Sequence, residues 1–322
     1  MFEFSTPTGL YPSDSSLPPA LLLLGPTAAG KTALALSLAD ALPLDIVSVD
    51  SALVYRGMDI GTSKPSPDIL ARCPHRLVDI CDPAESYSAA RFRNDALTAM
   101  AEITAEGRIP LLVGGTMLYF RVLQQGLSPL PETDPDLRTA LTEYARQRGA
   151  QTMHRWLAQV DREAAARIHP NDPQRVQRAL EVYLLSGQCI TDLWHAQPKS
   201  AFGYRSLKLV RAPSRRDELH RRIARRFEEM LSAGFEDEVR RLWQRTDLHP
   251  ELPSMRCVGY RQMLYYLNGQ CSFDEMKERA IIATRQLAKR QYTWLRAEPD
   301  CLWIQDDEPV LGRALSAVVN WL

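Results

Sequence analysis

The 322-residue sequence predicts an α/β fold, a mostly parallel sheet flanked by helices and interrupted by a helical insert. Three observations carry this. Short apolar runs alternate with helical periodicity through the first 130 residues, as strand–helix–strand units require. The first apolar run ends in a glycine-rich loop that opens a helix. From about 131 to 202 only helical periodicity is visible, and a strand pattern returns at 207–210.

Residues 1–19, rich in Ser and Pro, read as a flexible extension. Residues 20–24 are the first buried strand, and Gly25-Pro26-Thr27-Ala28-Ala29-Gly30-Lys31-Thr32 is a G-x-x-x-x-G-K-T phosphate loop. Leu34, Leu38, Ala41 and Leu42 then recur at helical spacing, so the loop has a strand before it and a helix after it. Gly25 and Gly30 let the backbone wrap an anion, and the helix amino end adds unpaired N–H groups and partial positive charge. Lys31 is the point charge for the outer phosphates, and Thr32 can place its hydroxyl on a phosphate-bound Mg²⁺. The core is therefore P-loop NTPase-like. The loop alone leaves open which phosphate is handled and whether a phosphoryl group moves.

A second short strand at 45–50 ends on Asp50, and 75–80 suggests a third. Residues 88–106 read as a helix closed by Gly107, and 109–113 as a strand running into Gly114-Gly115-Thr116. In parallel sheets ligands gather at the carboxyl ends of strands, where the phosphate loop, Asp50 and Thr116 all fall. Three separate segments thus converge on one site.

The turn-forming stretch 130–135 marks the start of the insert, giving a core of 20–130 and 203–322 around an insert of 131–202. Beyond it, Leu219, Ile223, Phe227 and Leu231 mark the buried stripe of a helix whose other faces are crowded with arginines. Arg285, Lys289, Tyr292 and Arg296 share a face of a later helix, cations with a ring that suit nucleic acid. The net charge of zero hides this block: residues 203–296 hold 20 basic against 12 acidic side chains. Such a concentration suggests a polyanion larger than one nucleotide, although a solvated helix face explains charge alone equally well. Six scattered cysteines with no C-x-x-C pair read as reduced thiols of a cytoplasmic protein, and no membrane span is expected. Residues past 296 offer a terminal strand at 301–305 and a short helix.

Six ordered blocks carry a resemblance: GPTAAGKT at 25–32, SVDSALVYRGMDIGTSKP at 48–65, VGGTMLY at 113–119, NDPQRVQRALE at 171–181, RCVGYRQ at 256–262 and TRQLAKRQYTWLR at 284–296. Together they resemble bacterial tRNA dimethylallyltransferases, also called tRNA isopentenyltransferases. That resemblance implies transfer of a dimethylallyl group from dimethylallyl diphosphate to N6 of adenine 37, in tRNAs reading codons that begin with U. It makes Asp50 the general base and the phosphate loop, with Lys31, Thr32 and Mg²⁺, the holder of the leaving diphosphate. Arg222 is the candidate for a second cationic clamp. The resemblance further implies a tRNA path contacted or shaped by Asp50, Ser51, Ala52 and Leu53, by Gln174, Arg175, Val176, Gln177 and Arg178, and by Arg256, Cys257, Val258, Gly259, Tyr260 and Arg261. Lys289, Arg290, Gln291, Tyr292, Thr293, Trp294, Leu295 and Arg296 continue it, with Thr116 lining the channel beside the adenine and Arg138 against the flipped base. An enzyme that encloses an anticodon stem-loop needs no partner subunit, so a monomer is expected. A metabolite or nucleotide kinase shares the loop and fold class, and a nucleotide-sensing RNA-binding module shares the charge pattern. The choice of donor separates the three.

Overall fold

The computed structural model describes residues 17–128, 130–196 and 202–322. Its elements divide into two compact units, one formed by the chain up to Leu123 together with Phe202–Leu322, the other by Gln124–Ala201. The expected extension at 1–19 falls mostly outside the described residues, and Pro19 already opens the first strand.

In chain order the first unit begins with β1 (Pro19–Leu24), α1 (Lys31–Ala41), β2 (Leu44–Val49), α2 (Pro67–Arg72), β3 (His75–Arg76), α3 (Ala89–Ala105), β4 (Ile109–Gly114) and α4 (Met117–Gln125). The second holds α5 (Pro135–Arg148), α6 (Ala150–Val160), α7 (Arg162–Arg167), α8 (Pro173–Ser186) and α9 (Ile190–His195). The chain then returns to the first unit through β5 (Arg205–Arg211), α10 (Arg216–Ser232), α11 (Phe235–Trp243), α12 (Tyr260–Leu267), α13 (Phe273–Ala297), β6 (Cys301–Ile304) and α14 (Val310–Trp321).

The six strands form one parallel sheet in the order β3-β2-β4-β1-β5-β6. β1 is central and wholly buried. Its leucines alternate, Leu22 and Leu24 joining the core beneath α3 and α4, Leu21 and Leu23 joining the one beneath α1 and α14. A strand covered on both faces reads as a continuous apolar run, which is why LLLL works here. On α1 the buried face is Leu34, Ala35 and Leu38, and Ala41 is exposed. The strand expected at 75–80 shrinks to two residues, because Leu77 and Asp79 take positive φ values of 64° and 57° that break the ladder.

One buried carboxylate shapes the loop after β2. Glu238 of α11, 2% exposed, accepts the amides of Asp59 (2.9 Å), Ile60 (2.7 Å) and Gly61 (3.1 Å) and the hydroxyl of Tyr260 (2.5 Å). Those bonds draw the MDIGTSKP segment against α11 and α12, so close that a Cβ on Gly61 would stand 2.2 Å from the Phe235 ring. In the second unit Asp161 plays a similar part, accepting from the Ala164 amide and from the amide and hydroxyl of Thr191.

Glu238→Leu should lower the stability of the first unit by about 3 kcal/mol, since three amides and a hydroxyl lose their acceptor in a buried place. Urea unfolding of variant and parent would measure it, and an unchanged midpoint would show the carboxylate to be dispensable.

Candidate active site

At the carboxyl ends of β1, β2 and β4 lies a cavity of about 590 Å³. Its lining includes Thr27, Ala28, Lys31 and Thr32 of the phosphate loop and α1, Asp50–Leu53 after β2, Gly114–Met117 after β4, and the 61–65 loop. Helix α10 contributes Ile223, Arg226, Phe227 and Met230, the 253–260 segment contributes Arg256 and Cys257, and α13 contributes Thr284, Leu287, Arg290, Gln291 and Trp294. The three segments that sequence order alone brought together do share one chamber.

The phosphate loop is shaped by its own backbone. Gly30 caps α1 with φ of 86°, a left-handed conformation that spares glycine the Cβ penalty, and Ala28 also takes a positive φ of 60°. Gly25 passes so near β5 that a Cβ would sit 2.2 Å from the Arg211 carbonyl oxygen. Lys31 donates from Nζ to the Pro26 carbonyl at 2.8 Å, folding over the loop. Burial lowers its pKa to about 8, the Asp50 carboxylate opposing that shift and the Arg226 guanidinium adding to it.

Arg226 is the second cation. It donates from Nε to Ser63 Oγ (2.7 Å), from Nη2 to the Thr62 carbonyl (3.3 Å) and from Nη1 to Thr27 Oγ1 (3.4 Å). Burial pulls its pKa below the usual arginine value, with Asp50 and Glu229 opposing. Opposite, Asp50 Oδ1 accepts the amides of Ala52 (2.8 Å) and Leu53 (3.4 Å). Its Oδ2 has no hydrogen-bond partner among the described residues. Thr116 Oγ1 accepts the Ser51 amide at 3.0 Å, tying the β4 end to the residue beside Asp50. The Cys257 thiol donates to the Pro253 carbonyl (3.5 Å), and burial, with Asp50 adding, pushes its pKa up to about 12.

A family model described as IPP transferase matches residues 53–298. The chain belongs to that family. It is 34% identical to a full-length tRNA isopentenylpyrophosphate transferase from Bacillus halodurans, over 95% of each chain, with a TM-score of 0.68. To the tRNA delta(2)-isopentenylpyrophosphate transferase of Staphylococcus epidermidis it is 30% identical over 94% of this chain and 98% of that one, with a TM-score of 0.67. A eukaryotic dimethylallyltransferase acting on tRNA shares the fold at a TM-score of 0.79 and 24% identity, covering 94% of this chain and 79% of that one.

Several expected site residues are placed elsewhere. Arg222 does not line the cavity: it pairs with Glu218 (2.7 Å) and Asp306 (2.9 Å), and the cation that faces the phosphate loop is Arg226, one turn further along α10. Asp306 also pairs with Arg211, so a residue past 296 neutralises two arginines behind the loop. The α13 face of Arg285, Lys289, Tyr292 and Arg296 is not the one that lines the cavity. Tyr292 stacks on Trp303 (centroids 6.3 Å, planes at 12°), and the Arg296 guanidinium lies 5.8 Å from its ring centroid, so that ring is engaged inside the protein. Leu287, Arg290, Gln291 and Trp294 face the cavity in its place. Leu295 and Val176 are buried, at 0% and 1% exposure, and shape their surroundings through packing, whereas Val258, Gly259 and the buried Tyr260 line the cavity. Arg256, Arg261, Lys289, Arg290 and Thr293 are exposed, and Gly259 caps α12.

Within the second unit Arg138, Gln174 and Arg175 are exposed. Gln177 donates to the Arg138 carbonyl (2.9 Å) and Thr142 Oγ1 (3.0 Å), while Arg178 donates to the Pro131 carbonyl (2.7 Å) and Glu181 (3.0 Å). These two hold α8 to α5 and to the Pro131 turn, an internal duty that their motif did not announce. A separate hollow of about 610 Å³ in this unit, walled by the edge-to-face pair Tyr144 and Trp156, contains none of the residues singled out from the sequence.

With the Lys31 pKa lowered to about 8 in the free protein, binding at pH 9 of a diphosphate monoester, itself fully ionised there, should take up a proton, because the anion favours the ammonium form. Affinity should fall as pH rises through 8. Calorimetry in two buffers of different ionisation enthalpy reads the uptake, and Lys31→Arg should abolish it.

Proposed function

We propose that this protein transfers the dimethylallyl group of dimethylallyl diphosphate to the exocyclic N6 of adenine 37, in tRNAs reading codons that begin with U, and releases diphosphate. One observation carries the reading: an anion cradle and a carboxylate with an uncommitted oxygen face the same cavity. Membership of the IPP transferase family and the tRNA-acting relatives support it.

Cleavage of the allylic C–O bond develops positive charge on carbon and negative charge on the departing diphosphate. Lys31, Arg226 and the amides at the α1 amino end stabilise that leaving group where it forms, with no phosphoryl transfer. Adenine N6 is a poor nucleophile because its lone pair is delocalised into the ring. Asp50 Oδ2 accepts a hydrogen bond from N6–H and takes the proton as the C–N bond forms, while Oδ1 stays fixed by the Ala52 and Leu53 amides. The base must leave its stack to reach the donor carbon, with Thr116 at its side. Ile223, Phe227, Met230 and Leu287 give the chamber an apolar wall against water.

The site suits Mg²⁺, since Thr32 brings a hard hydroxyl oxygen to the cavity that would hold the diphosphate. The ion, when bound, neutralises charge on the diphosphate oxygens. Exposed Arg138, Gln174 and Arg175 of the insert, and Arg256, Arg261, Lys289 and Arg290 of the core, supply contacts for the anticodon stem-loop backbone. We take the enzyme to act as a monomer, since one that encloses an anticodon stem-loop needs no partner subunit, and on the tRNA of the cytoplasm.

The reading is tested by incubating the protein with unmodified tRNA and either dimethylallyl-labelled donor or γ-labelled ATP. Prenyl label in tRNA supports it, and phosphate transfer from ATP would replace it with a kinase. Asp50→Asn preserves the capping oxygen and removes the base, so kcat should fall roughly 100- to 1,000-fold with donor affinity within about threefold. Arg226→Ala should weaken donor binding about tenfold or more, and Arg222→Ala by less than about twofold, in paired titrations.

A further inference from the structure

Gln291 is the residue whose expected and observed roles differ most. It sits on α13 in a stretch that the sequence assigns to RNA, yet it is only 8% exposed and both ends of its amide are taken. Its Oε1 accepts the backbone N–H of Thr27 in the phosphate loop at 2.9 Å. Its Nε2 donates to the carbonyl of Gly115, just past β4, at 2.8 Å. The fit leaves no slack, for a Cβ on Gly115 would stand 2.4 Å from that same nitrogen.

The bonds continue on either side. Gly115 precedes Thr116, whose hydroxyl accepts the Ser51 amide at 3.0 Å, and Ser51 adjoins Asp50. Thr27 belongs to the loop that Lys31 folds over and that Arg226 touches at Thr27 Oγ1. A single side chain therefore joins the segment that grips the leaving group to the turn whose Thr116 holds the residue beside the base. No other side chain among the described residues is hydrogen-bonded to both.

We propose that Gln291 is a positioning residue: its amide straps the phosphate loop to the Gly115–Thr116 turn and so sets the distance between donor carbon and acceptor nitrogen. The inference rests on the prenyl-transfer reading. An amide is suited to the task because one planar group presents an acceptor and a donor about 2.3 Å apart, matching one N–H and one C=O without introducing charge beside an anion site. Reaction between two bound partners is steep in their separation, and a displacement of about 1 Å can cost about 100-fold in rate while each partner still binds. The strap should consequently act on turnover more than on binding.

The test compares the wild type with Gln291→Met, which keeps the volume and loses both bonds, and Gln291→Asn, which keeps the amide but is one methylene too short to span the gap. Three quantities are measured for each: kcat for label transfer to an unmodified anticodon stem-loop at saturating substrates, the Kd of inorganic diphosphate, and the Kd of the stem-loop. We expect kcat to fall roughly tenfold or more in both variants, with both Kd values within about threefold of wild type. A partly unfolded variant would lower the fraction of active sites without separating these quantities, so active sites are counted by diphosphate titration. Should Gln291→Met fail to fold, Gln291→Asn gives the same split.

A loss of stem-loop affinity with kcat intact would make Gln291 an RNA contact and overturn the proposal. A matching loss of diphosphate affinity with kcat intact would make it a binding element and overturn the proposal equally. Variants indistinguishable from wild type sink the strap alone, whereas a wild type that transfers no label sinks the prenyl-transfer reading and the strap with it.

Discussion

Two half-buried cations facing one carboxylate are the constraint on which this site depends. Lys31 and Arg226 are each held below their ordinary proton affinity by burial, and the Asp50 carboxylate partly offsets both. The balance is incomplete: two positive groups share one negative one, and the local field is left favourable to an incoming anion. Everything around them serves to keep these charges in place. The parallel sheet brings the ends of β1, β2 and β4 to one edge, α10 carries Arg226 in from the far half of the sequence, and the 61–65 loop fixes its guanidinium through Ser63 and Thr62. Glu238 in turn fixes that loop, so a carboxylate outside the chamber governs the aim of a cation inside it.

Much of this was legible in the sequence, and the parts that were not share a cause. The phosphate loop, the strand ends and the helical insert are written in local patterns: glycine spacing, apolar runs of five or six residues, and a change of periodicity. The six-strand parallel sheet is their consequence. Arg222 and Arg226 are another matter. Each sits one position before a residue of the buried stripe, Ile223 or Phe227, so a helical wheel places both on the same flank. Only their displacement of one turn along the axis, about 5–6 Å, separates the arginine at the phosphate loop from the one at Asp306. That depends on where β6 ends, which is tertiary information.

Tyr292 shows the same limit. The i, i+4, i+7, i+11 spacing does put four cation-or-ring residues on one face of α13, but periodicity does not say which face meets which neighbour. Here the Tyr292 ring stacks on Trp303 of β6. The residues that do face the chamber, Leu287, Arg290, Gln291 and Trp294, form a mixed stripe of apolar, charged and amide groups with no distinctive composition. Short strands suffer likewise. β3 holds two residues where six looked apolar enough, because positive φ at Leu77 and Asp79 is a property of the turn and not of hydropathy.

The Cys257 thiol gives the chamber a property that its charges do not. Sulfur anions are avid traps for electrophilic carbon, and a site that loosens an allylic bond holds such a carbon within its walls. Burial, with Asp50 adding, pushes the Cys257 pKa up to about 12, so at neutral pH the group stays a thiol. Burial thus silences the sulfur, and the Asp50 carboxylate adds to the effect. In the proposed prenyl transfer, the protonated sulfur leaves the incoming amine without a rival at Cys257.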